Sequence, residues 1–293
     1  MLKLLKHDLK NSSKSGFIIL SLGLIANILV YYLGPKVTDT VNENFYFNIS
    51  GSTLSSILLG FSILVIFGAV IGLFYLIIST FRKDYYSDRA YLMATLPVTS
   101  KDILNSKILF GLIWTLIFMV SFFLVNLISV FIVFDMSNFV YAFRTLTQAF
   151  DMKFISLVFW TLDWIISTLT VLLIAYFSVV ATKALFKESK TGYWWILIFI
   201  LVSDTIAFIS NKIFLAIPKG FSFVGDGIVD YNSAFLNFSK IEPNTGAEFF
   251  KDVNTFLNQI FNSIPIIPMT INILAIVVIY FVTIKIMDKK IDI

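Results

Sequence analysis

Residues 54–81 read Leu-Ser-Ser-Ile-Leu-Leu-Gly-Phe-Ser-Ile-Leu-Val-Ile-Phe-Gly-Ala-Val-Ile-Gly-Leu-Phe-Tyr-Leu-Ile-Ile-Ser-Thr-Phe, with no charged side chain along the whole run. A helix that crosses the hydrocarbon core of a bilayer needs about 20 consecutive apolar residues. The run exceeds that length, so it predicts a transmembrane helix.

Five other segments have the same character, each bounded by charged or turn residues. The six predicted spans are 17–33, 54–81, 108–134, 155–181, 193–210 and 264–284. The 293-residue chain is 58% hydrophobic and only 14% charged, whereas about a quarter of the residues in a soluble domain are charged. We therefore predict an all-α polytopic membrane protein with a single transmembrane domain over residues 1–293.

The first span follows a basic stretch, as the apolar core of a signal peptide does. However, Leu33-Gly34-Pro35 is not a small-residue cleavage site, and five more spans follow. We interpret 17–33 as an uncleaved span.

The distribution of Lys and Arg predicts the orientation, because cytoplasmic loops of membrane proteins are enriched in these residues. With the N-terminus inside, 15 of the 22 basic residues lie on the cytoplasmic side. These are Lys3, Lys6, Lys10, Lys14, Arg82, Lys83, Arg89, Lys101, Lys107, Lys183, Lys187, Lys190, Lys285, Lys289 and Lys290. An even number of spans then places both termini in the cytoplasm.

The segments outside the spans differ in character. Residues 1–15 place leucines on one helical face with lysines beside it, which predicts an interfacial amphipathic helix. The outer segments 135–154 and 211–263 carry apolar residues at helical spacing, which predicts helices packed on the membrane surface or on neighbouring spans. The second of these is the outer helical loop between spans five and six.

The loop 82–107 between spans two and three is the most informative of these segments. Pro97 lacks a backbone N–H and disfavours helical geometry at Leu96, so it should separate two helices. Thr99 stands three residues before Asp102 and ahead of an apolar run, which is a capping-box pattern for a new helix. The stretch before Pro97 mixes tyrosines and Met93 with charges, which indicates a short amphipathic helix.

This loop resembles the permease subunits of type-2 ABC exporters. The matching residues are Asp88, Tyr91-Leu92, Leu96-Pro97-Val98, Thr99-Ser100, Lys101 and Ile103-Leu104-Asn105-Ser106-Lys107. The motif covers about a tenth of the chain and is moderately specific. The six-span layout, the amphipathic N-terminus and the long outer loop also resemble that family.

The resemblance implies that the segment 84–96 is a coupling helix, which docks on a separate ATPase. The implied contact residues are Asp84, Tyr85, Asp88, Arg89, Tyr91, Leu92, Met93, Leu96 and Pro97. It also implies an exporter in the bacterial cytoplasmic membrane, built from two permease copies or related permeases and two ATPase subunits. Membrane lipids are the other expected partner, and we do not expect the chain to bind nucleic acid. Without the resemblance, the same loop would be interpreted as an ordinary basic membrane anchor.

No catalytic, cofactor or metal site is expected on this chain. Gly-Lys, which a P-loop requires, occurs nowhere. The chain has no cysteine, and its single histidine is His7 in the basic N-terminal stretch. We therefore expect ATP and magnesium to bind to the partner ATPase, and we do not expect this chain to be an enzyme itself.

Two acidic residues, Asp163 and Asp204, fall inside predicted spans. Charges in the bilayer are costly, so both are candidates for the transport pathway. They also leave open a membrane-embedded enzyme that uses them as a carboxylate pair, and a scaffold or sensor without cargo is a third alternative. The 32 Phe residues suit an amphipathic peptide or another lipophilic cargo, but lipid-facing Phe gives the same pattern.

Overall fold

The computed structural model describes residues 2–38, 49–86, 99–133, 154–186, 193–217, 219–222, 228–230, 263–264 and 266–291. These ranges contain six α-helices and a small sheet. The helices are α1 (Leu2–Thr38), α2 (Ile49–Tyr86), α3 (Ser100–Val133), α4 (Phe154–Leu185), α5 (Trp194–Ala216) and α6 (Ile266–Ile291).

Each of these helices is long and apolar enough to cross a membrane. This confirms the prediction of a multi-pass membrane protein with six membrane-length helices. The first helix alone has 37 residues, or roughly 55 Å of helix against about 30 Å of hydrocarbon. By their internal contacts, the helices form two compact units, Met1–Val140 and Tyr141–Ile293.

In the first unit, α1 packs against both α2 and α3. It runs parallel to α3, because Asp8 lies opposite Lys107 and Asn27 lies opposite Asn126. The Asn27 amide donates a hydrogen bond to the Asn126 amide oxygen at 3.3 Å. The two polar pairs therefore fix the register of the α1–α3 contact near both ends.

The α1–α2 contact is antiparallel and close. Gly72 of α2 faces Ile19 of α1, and Ala69 faces Gly23 further along. The small side chains let the two backbones approach, which is the common way for helices to associate within a membrane. As a result, the end of α2, the start of α1 and the start of α3 lie at the same end of the unit.

The helix α1 is continuous through both the predicted interfacial helix at 1–15 and the predicted span at 17–33. The serines in this region do not interrupt the helix, because their hydroxyls donate to backbone carbonyls one turn back. Ser12 donates to Asp8 at 2.8 Å, and Ser13 donates to Lys10 at 2.8 Å. The N-terminal residues therefore extend the first span and pack against its neighbours.

The predicted loop 82–107 is shorter in the structure, because α2 continues to Tyr86 and α3 begins at Ser100. The predicted N-cap of α3 at Thr99 is confirmed, with Asp102 as its partner. Asp102 donates its backbone N–H to the Thr99 hydroxyl at 3.2 Å, and that hydroxyl donates to the Asp102 carboxylate at 2.8 Å. Pro97, the predicted break, lies outside the described residues.

In the second unit, α4 is the central helix, with α5 and α6 packed against it. Its most buried stretch, from Leu172 to Val180, includes Tyr176 and Ala175, which are both fully buried. Phe186 and Trp194 stack across the α4–α5 connection with ring centroids 5.6 Å apart. This contact joins the C-terminal end of α4 to the N-terminal end of α5, so the two helices form an antiparallel hairpin.

A three-stranded antiparallel sheet follows α5 and was not predicted. Its strands are β1 (Lys219–Ser222), β2 (Ile228–Asp230) and β3 (Ser263–Ile264), in the order β2-β1-β3. The fifth helix also continues to Ala216, beyond the predicted end at Ser210. The predicted outer loop 211–263 is therefore partly helix and partly sheet. The apolar stripe predicted within 249–260 lies outside the described residues, as does most of the outer segment 135–154.

Candidate functional site

Three charged residues meet inside the first unit, and we call Asp8, Asp84 and Lys107 the charged cluster. The Lys107 ammonium lies 2.6 Å from a carboxylate oxygen of Asp8 and also pairs with the Asp84 carboxylate. The exposed fractions of these side chains are only 1% for Lys107, 9% for Asp8 and 10% for Asp84. One lysine thus links the ends of three helices.

Local structure brings these charges together. Thr99 fixes the start of α3, which places Lys107 two turns into the helix, where the apolar run begins. Asp84 stands in the last turn of α2, and Asp8 stands near the start of α1. Because α1 is parallel to α3 and antiparallel to α2, all three positions fall at the same level.

The energetics of such a cluster are asymmetric. Moving ions out of water is costly, so a buried ion pair contributes little net stability compared with apolar residues of the same size. Removing one partner is different, because it leaves an uncompensated buried charge and costs about 3–5 kcal/mol. The charged cluster is therefore better suited to fixing the relative position of three helix ends than to adding stability.

A polar cavity of about 60 Å³ lies beside the charged cluster, between α1 and α2. Its lining includes Asp8 and Asp84, together with Asn11, Lys83 and several hydroxyl side chains. The cavity is large enough for water, which needs at least about 10–15 Å³ and two to four polar partners. Water there would solvate the carboxylate oxygens that Lys107 does not contact.

Further along α1, a second contact locks this helix against α3. The Trp114 indole N–H donates to the Ser12 hydroxyl at 3.2 Å. The indole ring covers Gly16, where an added Cβ would lie 2.1 Å from a ring carbon. Phe17 packs edge-on against the same ring, with centroids 5.7 Å apart. The N-terminal part of α1 is thus fixed by packing as well as by charge.

Of the predicted ATPase contacts, only Asp84 has a described side chain. It is buried and paired with Lys107, so it contributes to internal packing rather than to an exposed surface. Tyr85 belongs to the last turn of α2, and nothing further is described for it. The remaining predicted contacts lie outside the described residues: Asp88, Arg89, Tyr91, Leu92, Met93, Leu96 and Pro97.

The two intramembrane acids do not form a pair. Asp163 is in α4 and Asp204 is in α5, and these helices are antiparallel neighbours joined near Phe186 and Trp194. Asp163 lies 23 residues before Phe186, and Asp204 lies ten residues after Trp194. At 1.5 Å per residue, the two carboxylates are therefore separated by about 20 Å along the helix axes. Carboxylates that share a proton must be in close contact. The geometry therefore gives no support to the two-aspartate enzyme.

Sequence reasoning missed the roles of Asp8 and Lys107. A signal was present, because Asp8 is the only acidic residue in 1–33, among four lysines. Asp84 is likewise the first acidic residue after the long uncharged span 54–81. Isolated carboxylates at the margins of apolar runs are thus candidates for pairing with a cation, but the sequence does not identify that cation.

Among the described residues, no group of three His, Asp or Glu side chains is arranged to hold a metal ion. Comparisons of the chain with protein-family models, with curated proteins and with solved structures found no match.

Proposed function

We propose that this chain is the transmembrane permease subunit of an ATP-driven exporter of the type-2 ABC class. The observation that carries the proposal is the position of the charged cluster. Lys107 is the last residue of the motif by which the loop resembles that family, and it joins α3 to the ends of α1 and α2. Through Lys107, the motif therefore contacts the end of α2, and both α2 and α3 adjoin the segment 87–99.

This arrangement suits mechanical coupling. A partner that displaces the loop 87–99 would act on α2 and α3 directly, and on α1 through Asp8. Three membrane-length helices would then move together rather than separately. A partner with different affinities for two such arrangements biases the equilibrium between them. ATP-driven closure of two ATPase subunits would supply that bias, and two permease copies or related permeases would form the pathway in a bacterial cytoplasmic membrane.

The cargo proposed for this pathway is an amphipathic peptide or another lipophilic compound. The support is the abundance of Phe, with 32 residues in the chain. Asp163 and Asp204 remain candidates for the pathway, each acting alone since their helices place them about 20 Å apart along the axes.

Topology gives the first test. Because basic residues concentrate on one side, both termini should be cytoplasmic and the segment 219–251 should lie outside. Reporter fusions at Ile293 and within 219–251 should therefore report opposite sides of the membrane. The same side for both fusions would overturn the six-span topology.

The ATPase contact gives the second test. We expect the double substitution Tyr91→Ala, Leu92→Ala to release the ATPase, or to leave it bound but uncoupled, because interfaces depend on a few large anchors. Truncating one central anchor typically costs about 2 kcal/mol, which is roughly a thirtyfold loss of affinity. The measurements are co-purification of the ATPase from native membranes and cargo-stimulated ATP hydrolysis.

Two controls make this experiment interpretable. Lys289→Ala changes an exposed residue near the end of α6 and should affect neither measurement. The double variant should insert at the normal level, which separates loss of coupling from loss of folding. Full transport and full stimulated hydrolysis in the double variant would show that the loop is only a membrane anchor.

A further inference from the structure

The second unit has an apolar groove that the proposed function does not use, and we call it the α5–α6 groove. Its volume is about 430 Å³, within the range of roughly 300–1,000 Å³ that is typical of ligand sites. It is lined by Phe177 of α4, by three aliphatic residues of α5 and by six small or aliphatic residues of α6. Nothing in this lining can bind a polar ligand.

The shape of the groove follows the helix axes. Along α6 the lining extends from Ile271 to Val282, which is about 16 Å of helix. Val278 and Leu274 are 59% and 64% exposed, so the groove is open towards the side of the unit. Both helices lie within membrane-length stretches. A long, narrow, apolar and laterally open groove fits an extended hydrocarbon chain.

The nearest cation along α5 is Lys212, which is not itself part of the groove lining. Lys212 follows the lining residue Ile209 by one helical turn and is exposed. Its ammonium lies over the Phe208 ring, 5.6 Å from the centroid, which holds the side chain along α5. Among the described residues, no carboxylate lies within ion-pair distance of Lys212, and Asp204 is two turns away. Within the part of the chain that the structure describes, the ammonium is therefore open to an anionic group at the membrane surface.

We infer that the α5–α6 groove binds one acyl chain of an anionic phospholipid, with its headgroup phosphate at Lys212. The groove supplies the apolar contact, and Lys212 supplies the charge that an anionic headgroup needs. A lysine near a membrane surface contributes enough attraction to anionic lipid to change occupancy about fivefold. The preference for anionic over zwitterionic headgroups is thus assigned to a single side chain.

Lys285 stands one turn beyond the other end of the groove, after Val282 of α6. Its neighbours on the same helix, Asp288 and Lys289, carry opposite charges and are both exposed. Lys285 is thus the alternative headgroup position, and it provides a second variant for the experiment.

The absence of cysteine from the sequence makes the test direct. A single Val278→Cys substitution in the groove is labelled with a benzophenone, and the full chain is reconstituted in vesicles of phosphatidylglycerol and phosphatidylcholine. After illumination, mass spectrometry measures the ratio of the two lipid adducts. We expect phosphatidylglycerol to be enriched about fivefold over its share in the vesicle. Lys212→Gln should abolish that enrichment while leaving the total yield of lipid adducts unchanged.

Three controls decide the outcome. A label at Val120→Cys, an exposed position on α3, should report the bulk lipid ratio. Lys101→Gln should leave the enrichment at position 278 intact. The inference is overturned if position 278 shows no enrichment, if Lys285→Gln removes the enrichment while Lys212→Gln does not, or if the main adduct is a second copy of the chain. None of these readouts requires transport, so they are independent of the proposed function.

Discussion

Replacing Lys107 with alanine is expected to lower the free energy of unfolding by about 3–5 kcal/mol. The substitution leaves the Asp8 and Asp84 carboxylates buried without their cation, since both side chains are at most 10% exposed. The three helix ends would then separate to hydrate the carboxylates. Unfolding of the purified chain in mixed micelles with increasing sodium dodecyl sulfate measures the change.

The matched control for Lys107 is the removal of the whole charged cluster. The triple variant Asp8→Asn, Lys107→Met, Asp84→Asn has no buried charge left at this position, so most of the lost stability should return. Lys101→Ala removes an exposed lysine from the same helix and should change stability by less than about 0.5 kcal/mol. A triple variant as unstable as Lys107→Ala would show that the charges are not the cause.

The triple variant also bears on the proposed function. If the charged cluster transmits movement from the loop to α1, a stable chain without it should still bind its ATPase but transport less cargo per ATP hydrolysed. Co-purification of the ATPase reports binding, and the ratio of cargo exported to phosphate released reports coupling. An unchanged ratio would mean that the cluster only fixes the fold.

The second large effect is expected at Gly16. Substitution by alanine places a Cβ 2.1 Å from a ring carbon of Trp114, which is only 2% exposed and has no room to withdraw. Overpacking of this kind costs about 1–3 kcal/mol. A shifted ring would also lose the hydrogen bond from its N–H to Ser12, at a further cost of about 1 kcal/mol. Unfolding in detergent measures the total loss of stability from both effects, and Trp fluorescence reports the displacement of the Trp114 ring.

Gly60 is the matched control for Gly16. It also lies within a membrane-length helix, but among the described residues no neighbouring side chain or other helix lies within 4 Å of the Cβ that an alanine would add. Gly60→Ala should therefore be neutral, or stabilising by up to about 1 kcal/mol, because alanine is the better helix former. Equal destabilisation by the two substitutions would point to a shared effect on α-helix insertion rather than to the contact with Trp114.

The sequence by itself determined the features that depend on local composition and spacing. Uncharged runs such as 54–81 predict membrane-length helices, because they exceed the roughly 20 apolar residues that a helix needs to cross a bilayer. The cap at Thr99 was equally predictable, because a capping box is contained within four residues. Partners and coupling contacts were inferred from the family resemblance, and the cargo from the abundance of Phe; all three remain proposals.

The tertiary structure alone decided which charges and small residues matter. In the sequence, Lys107 is one of 15 basic residues assigned to the cytoplasmic side, and nothing local distinguishes it from exposed Lys101. Its partner Asp8 is 99 positions away, and the pairing depends on the register of α1 against α3. The small sheet has the same origin, because β1 pairs with β3 across 40 residues of chain. Contacts of this kind are set by how the helices pack, and no short window of sequence contains both partners.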